Sequence, residues 1–224
     1  MSTIPNAFPH LDRASGVSPR VTACLSIDMQ NATWTPGQLT HARNDGSPRS
    51  SSLEFLERLE RTVIPSQKTL QTAMRARAIE IVYTTVEAYT QDGRDISLDH
   101  KLSGLFFPKG AWEARVINEV GPVGDEIVIP KTASGVFNCT NIEYVLRNLG
   151  VQQLVVYGVR TDQCVETAVR DAADRGFLVT LVEDCCAAET PERHARAIDA
   201  MDGHYARVRS TREMLEELGA LELE

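Results

Sequence analysis

The chain has 224 residues, of which 42% are hydrophobic and 24% charged, and its 23 basic and 31 acidic residues give a net charge of −8. That supplies one sizeable core, predicts a single domain over residues 21–224, and offers no block of like charge to hold nucleic acid or an anionic membrane. Five cysteines without a paired spacing, no N-terminal apolar leader and no run of transmembrane length point to a reduced, cytoplasmic protein without a disulfide framework.

In chain order, residues 1–20 are rich in Pro, Ser and Asn and read as an arm lying on the body or on a neighbouring subunit. The apolar run Ala23-Cys24-Leu25-Ser26-Ile27 predicts a buried strand, and Gly37 to Ser52 a loop. Leu53 to Arg77 has helical periodicity, with a second segment or a kink at Pro65. Ile79 to Thr85 reads as the second strand. The segment from Ala88 to Trp112 is long, polar and Gly-punctuated, a candidate lid or subunit contact.

From Asp125 onward the pattern alternates. Strands are predicted near Glu126–Pro130, Gln153–Tyr157, Leu178–Glu183 and Tyr205–Val208, and helices near Asn141–Asn148, Cys164–Arg175, Pro191–Met201 and Thr211–Leu218. Such alternation predicts an α/β fold of three layers, α/β/α, around a mostly parallel sheet of about six strands.

The chemistry concentrates at strand ends. Cys164 lies where the run Leu154-Val155-Val156-Tyr157 gives way to a helix start, a position whose unpaired N–H groups and dipole favour a thiolate. Taken alone, a free cysteine is more often a small buried hydrophobe. Asp28 ends the first apolar run and Lys131 directly follows Ile127-Val128-Ile129-Pro130. Singly, these residues read equally well as a helix cap and a surface charge. In open α/β sheets pockets lie at the carboxyl ends of strands, so an acid, a base and a thiol placed there share one crevice.

With those residues the chain resembles the isochorismatase-like cysteine hydrolases, a superfamily that includes nicotinamidase, N-carbamoylsarcosine amidohydrolase, biuret hydrolase and ureidoacrylate hydrolase. The likeness runs from about Thr22 to about Thr190 through Asp28-Met29-Gln30, Lys131 with Ser134, Phe137 and Thr140, the turn from Gly158 to Val165 with Thr167, Ala168, Asp171, Ala172 and Gly176, and Val182 with Asp184. It implies a catalytic triad of Asp28, Lys131 and Cys164 and a non-proline cis peptide at Val159–Arg160. Cys164 would attack a carbonyl carbon to form a thioester that water cleaves. Asp28 would carry the proton, Lys131 would hold Asp28 and favour the thiolate, and the backbone N–H groups of Arg160 and Cys164 would form the oxyanion hole.

Nicotinamidases of the superfamily carry an Asp/His metal cluster beyond the second strand. Thr84-Thr85-Val86-Glu87-Ala88-Tyr89-Thr90 has no histidine, and the five histidines lack a ligand-set spacing, so each reads as a surface or packing residue and no metal or other cofactor is expected. The expected activity is C–N cleavage of a small amide, ureide or carbamoyl compound, against isochorismatase-type or nicotinamidase activity or a non-catalytic interaction subunit of the same fold. Gln30, Trp34, Glu87, Tyr89, Phe137 and Arg160 are the candidate substrate contacts. Arg160 is the departure from the family pattern: it either clamps a substrate carboxylate or points away to pair with an acid on a neighbouring helix. A homo-oligomer, dimer or tetramer, is expected. Cys24, Cys139, Cys185 and Cys186 read as packing residues.

Overall fold

The computed structural model describes residues 12–45 and 52–219. Six strands, β1 (Thr22–Ile27), β2 (Glu80–Val86), β3 (Val128–Lys131), β4 (Gln153–Val159), β5 (Leu178–Ala187) and β6 (Arg207–Arg209), form one sheet in the order β3-β2-β1-β4-β5-β6. Every neighbouring pair is parallel. β1 and β4 are buried along nearly their whole length, as strands covered on both faces must be, which is why they read as unbroken apolar runs.

The helices are α1 (Gln38–Asp45), α2 (Leu53–Arg58), α3 (Ile64–Arg75), α4 (Leu98–Ser103), α5 (Val136–Cys139), α6 (Ile142–Asn148), α7 (Glu166–Asp174), α8 (Pro191–Met201) and α9 (Thr211–Glu217). α3 packs with α9 on one side of the sheet, and α7 packs with α5 and α8. On the first side Arg75 donates to the Tyr83 hydroxyl at 2.8 Å and Gln71 to that of Tyr157 at 3.3 Å. The sheet is therefore sandwiched, and the chain order reverses between β1 and β4, the switch point at which such sheets open a crevice.

The second helical segment expected at Pro65 is α3, which starts at Ile64 with the proline in its first turn, where a missing N–H costs no bond, and a π turn over Leu59–Val63 joins it to α2. Three elements differ from the pattern of the sequence. The expected loop over residues 37–52 contains α1, and residues 46–51 lie outside those described. β5 runs on to Ala187 because its pairing with β4 skips, from Val156↔Leu181 to Gly158↔Cys186, so Cys185 and Cys186 sit buried inside the strand. The segment from Ala88 to Trp112 carries α4. Residues 1–11 of the expected arm lie outside those described, while Ser18 donates its N–H to Gln153 Oε1 at 2.7 Å. Among the described residues no helix is long and apolar enough to cross a membrane.

Candidate active site

Asp28 leaves β1 in the left-handed region, φ 53°, a conformation that Asp tolerates better than most residues. Its N–H still reaches Thr84 O at 3.1 Å, so the turn begins only after the sheet has fixed the residue. Thr84 donates its hydroxyl to Asp28 Oδ1 at 2.7 Å. Lys131 closes β3, one strand further out, and extends its ammonium across the end of β2 to within 2.9 Å of Asp28 Oδ2. The same nitrogen donates to Ala133 O at 2.9 Å and to Cys164 Sγ at 3.3 Å. The fully buried ammonium thus makes hydrogen bonds to Ala133 and Cys164 and an ion pair with Asp28, which together keep its charge away from water.

Cys164 lies in a π turn, Thr161–Val165, that leads into α7. The turn approaches Asp28 so closely because β4 hugs β1: a Cβ on Gly158, whose φ is 131°, would stand 2.2 Å from Ile27 O. The Val159–Arg160 peptide that follows is cis.

Electrostatically, the centre differs from the thiolate its position suggested. Burial, and then the negative charge of Asp28, push the Cys164 thiol up to about 12, and the Lys131 ammonium offsets only part of this. Burial alone would lower Lys131, but Asp28 and Cys164 together outweigh it and hold the ammonium above its ordinary value. At rest the thiol is thus favoured over the thiolate at Cys164, with the Lys131 ammonium beside it.

The expected rim residues scatter. Gln30 is a brace: its amide donates to Val86 O at 3.1 Å and Ala114 O at 3.0 Å and accepts from Val86 N at 2.8 Å, so both of its N–H bonds are spent within the chain. Glu87 accepts from Gly110 N at 2.6 Å and lines, with Thr85 and Arg115, a cavity of about 430 Å³ that none of Asp28, Lys131 and Cys164 borders. It follows Thr85, which alternates to the sheet face opposite Thr84. Phe137 is core, its ring 6.1 Å from that of Phe177. Trp34 is buried in a separate apolar cluster with Met29, Phe55 and Val159. Tyr89 is half exposed and donates to Pro130 O at 3.2 Å.

Arg160 pairs with an acid, as the second of its expected roles had it, but that acid, Glu189, lies in the bend between β5 and α8 and not on a helix. Its guanidinium stands 3.1 Å from Glu189 Oε2 and 3.9 Å above the Phe55 ring, so its charge is already matched within the chain.

Two histidines are not the ordinary packing residues their spacing suggested. His194 is buried, its Nδ1 2.8 Å from Thr161 Oγ1 and its Nε2 2.9 Å from Arg58, which also donates to Cys186 O at 2.8 Å. Arg58 can only donate, so Nε2 accepts and Nδ1 carries the proton to Thr161, tying the cysteine turn to α2, α8 and the end of β5. His100 is buried where the charges of Lys131 and Asp28 both act on it. Neither histidine was visible from spacing, because their partners come from distant segments. Thr84 was hidden too, since a threonine in a strand is commonplace. Among the described residues no three His, Cys, Asp or Glu side chains are grouped as a metal would require.

The family model described as "Isochorismatase domain" matches residues 22–213. The chain is 30% identical over 185 residues to the ureidoacrylate amidohydrolase RutB of Rhizobium rhizogenes, covering 75% of this chain and 71% of that protein. A cysteine hydrolase from Pseudomonas syringae pv. phaseolicola superposes with TM-score 0.77 at 20% identity, over 92% of this chain and 96% of the other. The N-carbamoylsarcosine amidase of Thermoplasma acidophilum does so with TM-score 0.64 at 22% identity, over 85% and 96%.

Proposed function

The chain belongs to the isochorismatase-domain family, and on that footing we propose that it is a cysteine-dependent amidohydrolase cleaving a C–N bond of a small amide, ureide or carbamoyl compound. The observation that carries this reading is the buried Lys131 ammonium, 2.9 Å from Asp28 Oδ2 and 3.3 Å from Cys164 Sγ, which fixes a base and a nucleophile in one place. Among relatives, the ureidoacrylate amidohydrolase and the N-carbamoylsarcosine amidase are named for reactions of this type.

In the proposed cycle the Cys164 S–H proton passes to Asp28 as sulfur attacks the carbonyl carbon. The carbonyl oxygen takes the negative charge, and the backbone N–H groups of Arg160 and Cys164 are the proposed donors to it. Asp28 then returns the proton to the departing nitrogen, the C–N bond breaks, and ammonia or an amine leaves a thioester on Cys164. Water attacks the thioester, gives its proton to Asp28, and the thiol is restored as the acid product departs. Because sulfur begins protonated, a neutral thiol and a carboxylate are the reactive pair, and Lys131 limits the charge build-up at both.

The test is release of ammonia or amine across a panel of ureides, carbamoyl amino acids, nicotinamide and short amides. At least one should be turned over by the wild type and none by Cys164→Ala. Turnover by Cys164→Ala above a few per cent of the wild-type rate would exclude the covalent route.

A further inference from the structure

His100 is 1% exposed, and neither of its ring nitrogens has a hydrogen-bond partner among the described residues. Its backbone, by contrast, is well satisfied: the N–H donates to Ser97 Oγ at 3.2 Å and the carbonyl accepts from Leu105 N at 3.0 Å. The short helix α4 that carries it is docked on the active site by Ser97 N to Thr132 O, 2.9 Å, one residue beyond Lys131. The ring feels the charges of both Lys131 and Asp28. Burial, and then the Lys131 charge, hold His100 below its ordinary value, so the imidazole is neutral, with one N–H to donate and one lone pair to fill.

Leaving both groups unmade is a cost that folded proteins rarely bear without a use for them. Lys131 does not supply the missing partner: it donates to Ala133 and Cys164 and pairs with Asp28, and no bond from it reaches the ring. A carboxylate only accepts and an ammonium only donates, so neither completes a neutral imidazole. A carboxamide or ureide does both.

We propose that His100 is a specificity-determining residue that reads an uncharged N–H/C=O unit of the substrate, donating to its oxygen and accepting from its nitrogen. The substrate it names rests on the amidohydrolase reading, and it makes the preferred compound neutral at the end nearest Lys131. Arg160, already paired with Glu189, offers no competing site for an acidic group.

Two alkylating agents test this without knowledge of the substrate. Iodoacetamide and iodoacetate share a leaving group and differ in presenting an amide or a carboxylate. The rate of Cys164 modification by each is followed by mass spectrometry at pH 9, with the half-buried Cys139 as internal control. The iodoacetamide-to-iodoacetate rate ratio at Cys164 should fall about tenfold in His100→Ala, the loss of roughly one buried hydrogen bond, and be largely restored in His100→Gln, which carries both a donor and an acceptor. An unchanged ratio in His100→Ala means that water completes the ring and overturns the proposal. Equal slowing with both reagents also overturns it, by assigning His100 a packing role, and so does a wild-type Cys164 that neither reagent reaches. Loss of the amidohydrolase reading would show separately, as a wild type that turns over nothing in the substrate panel while the alkylation ratio still depends on His100.

Discussion

Thr84, in the middle of one strand, holds the carboxylate that ends its neighbour: its hydroxyl donates to Asp28 Oδ1 at 2.7 Å while Lys131 occupies Oδ2. The two oxygens of Asp28 are thereby distinguished, and the carboxylate cannot rotate without losing both partners. Thr84→Val keeps the shape and deletes the donor. We expect kcat to fall about ten- to a hundredfold, as for loss of a hydrogen bond to a charged group, with little change in KM. Steady-state kinetics check this, and a parallel rise in KM would place Thr84 in substrate binding instead.

Lys131 is fully buried, so its removal leaves the Asp28 carboxylate without a cation. Lys131→Met should abolish turnover and cost about 3–5 kcal/mol of stability. Adding Asp28→Asn removes the stranded charge, so the double variant should recover much of that stability in urea denaturation while remaining inactive. A double variant no more stable than Lys131→Met would mean that the pair is not energetically coupled.

The thiol's acidity gives a pH test with a definite sign. Since burial and Asp28 push Cys164 up to about 12, alkylation of the free enzyme should keep climbing with pH, with no plateau below about pH 10. Asp28→Asn deletes the base that takes the thiol proton, so alkylation near pH 8 should slow as turnover is lost, while the thiol, freed of a raising charge, should ionise at lower pH. Alkylation in Asp28→Asn as fast as in the wild type near pH 8 would show that Asp28 does not activate the thiol.

His194 predicts an acid limb in stability. Burial, then the Arg58 charge, lower it to about 4, below its ordinary value of 6.5. Between those values the unfolded chain takes up a proton that the folded chain refuses. Stability contributed by neutral His194 is thus fully present above pH 6.5 and is lost as pH falls toward 4. Discounting for partial exposure, the loss is about 1–2 kcal/mol. Denaturation midpoints measured from pH 7 to 4.5 should decline less steeply in His194→Gln than in the wild type.

Gly158→Ala should be among the most damaging single changes, because the added Cβ meets the backbone oxygen of Ile27 rather than a movable side chain. A loss of more than about 3 kcal/mol, or failure to fold, is expected; a well-folded variant seen by circular dichroism would mean that β4 can retreat from β1.

Much of this fold was legible because its strands are buried on both faces and its crossovers are helical, so hydrophobic runs and helical periods alternate without ambiguity. Asp28, Lys131 and Cys164 stood out because strand ends are where charged and nucleophilic residues interrupt apolar runs. The surroundings were less legible. Glu87 and Tyr89 follow the same strand as Thr84, yet side-chain alternation sends Thr85 and Glu87 away from the triad. Gln30 looks like a ligand-binding amide until its partners, Val86 and Ala114, are known. The acidity of Cys164 was read from its helix start, which favours a thiolate, whereas the depth of burial and the neighbouring carboxylate, which push the thiol up, are tertiary facts. His100 and His194 were missed for the same reason.

The position of β1 in the middle of the sheet also shapes how the chain must be made. Its partner on one side, β2, follows about fifty residues later, but its partner on the other, β4, is completed only at Val159. At the usual pace of synthesis, about 5–20 residues per second, the nascent chain carries an apolar strand with one open edge for several seconds. Such an edge invites pairing with other chains. Truncations that end before residue 159 should therefore yield aggregates rather than smaller soluble folds, and the catalytic centre has no partial form: it comes into being with the closing of that edge.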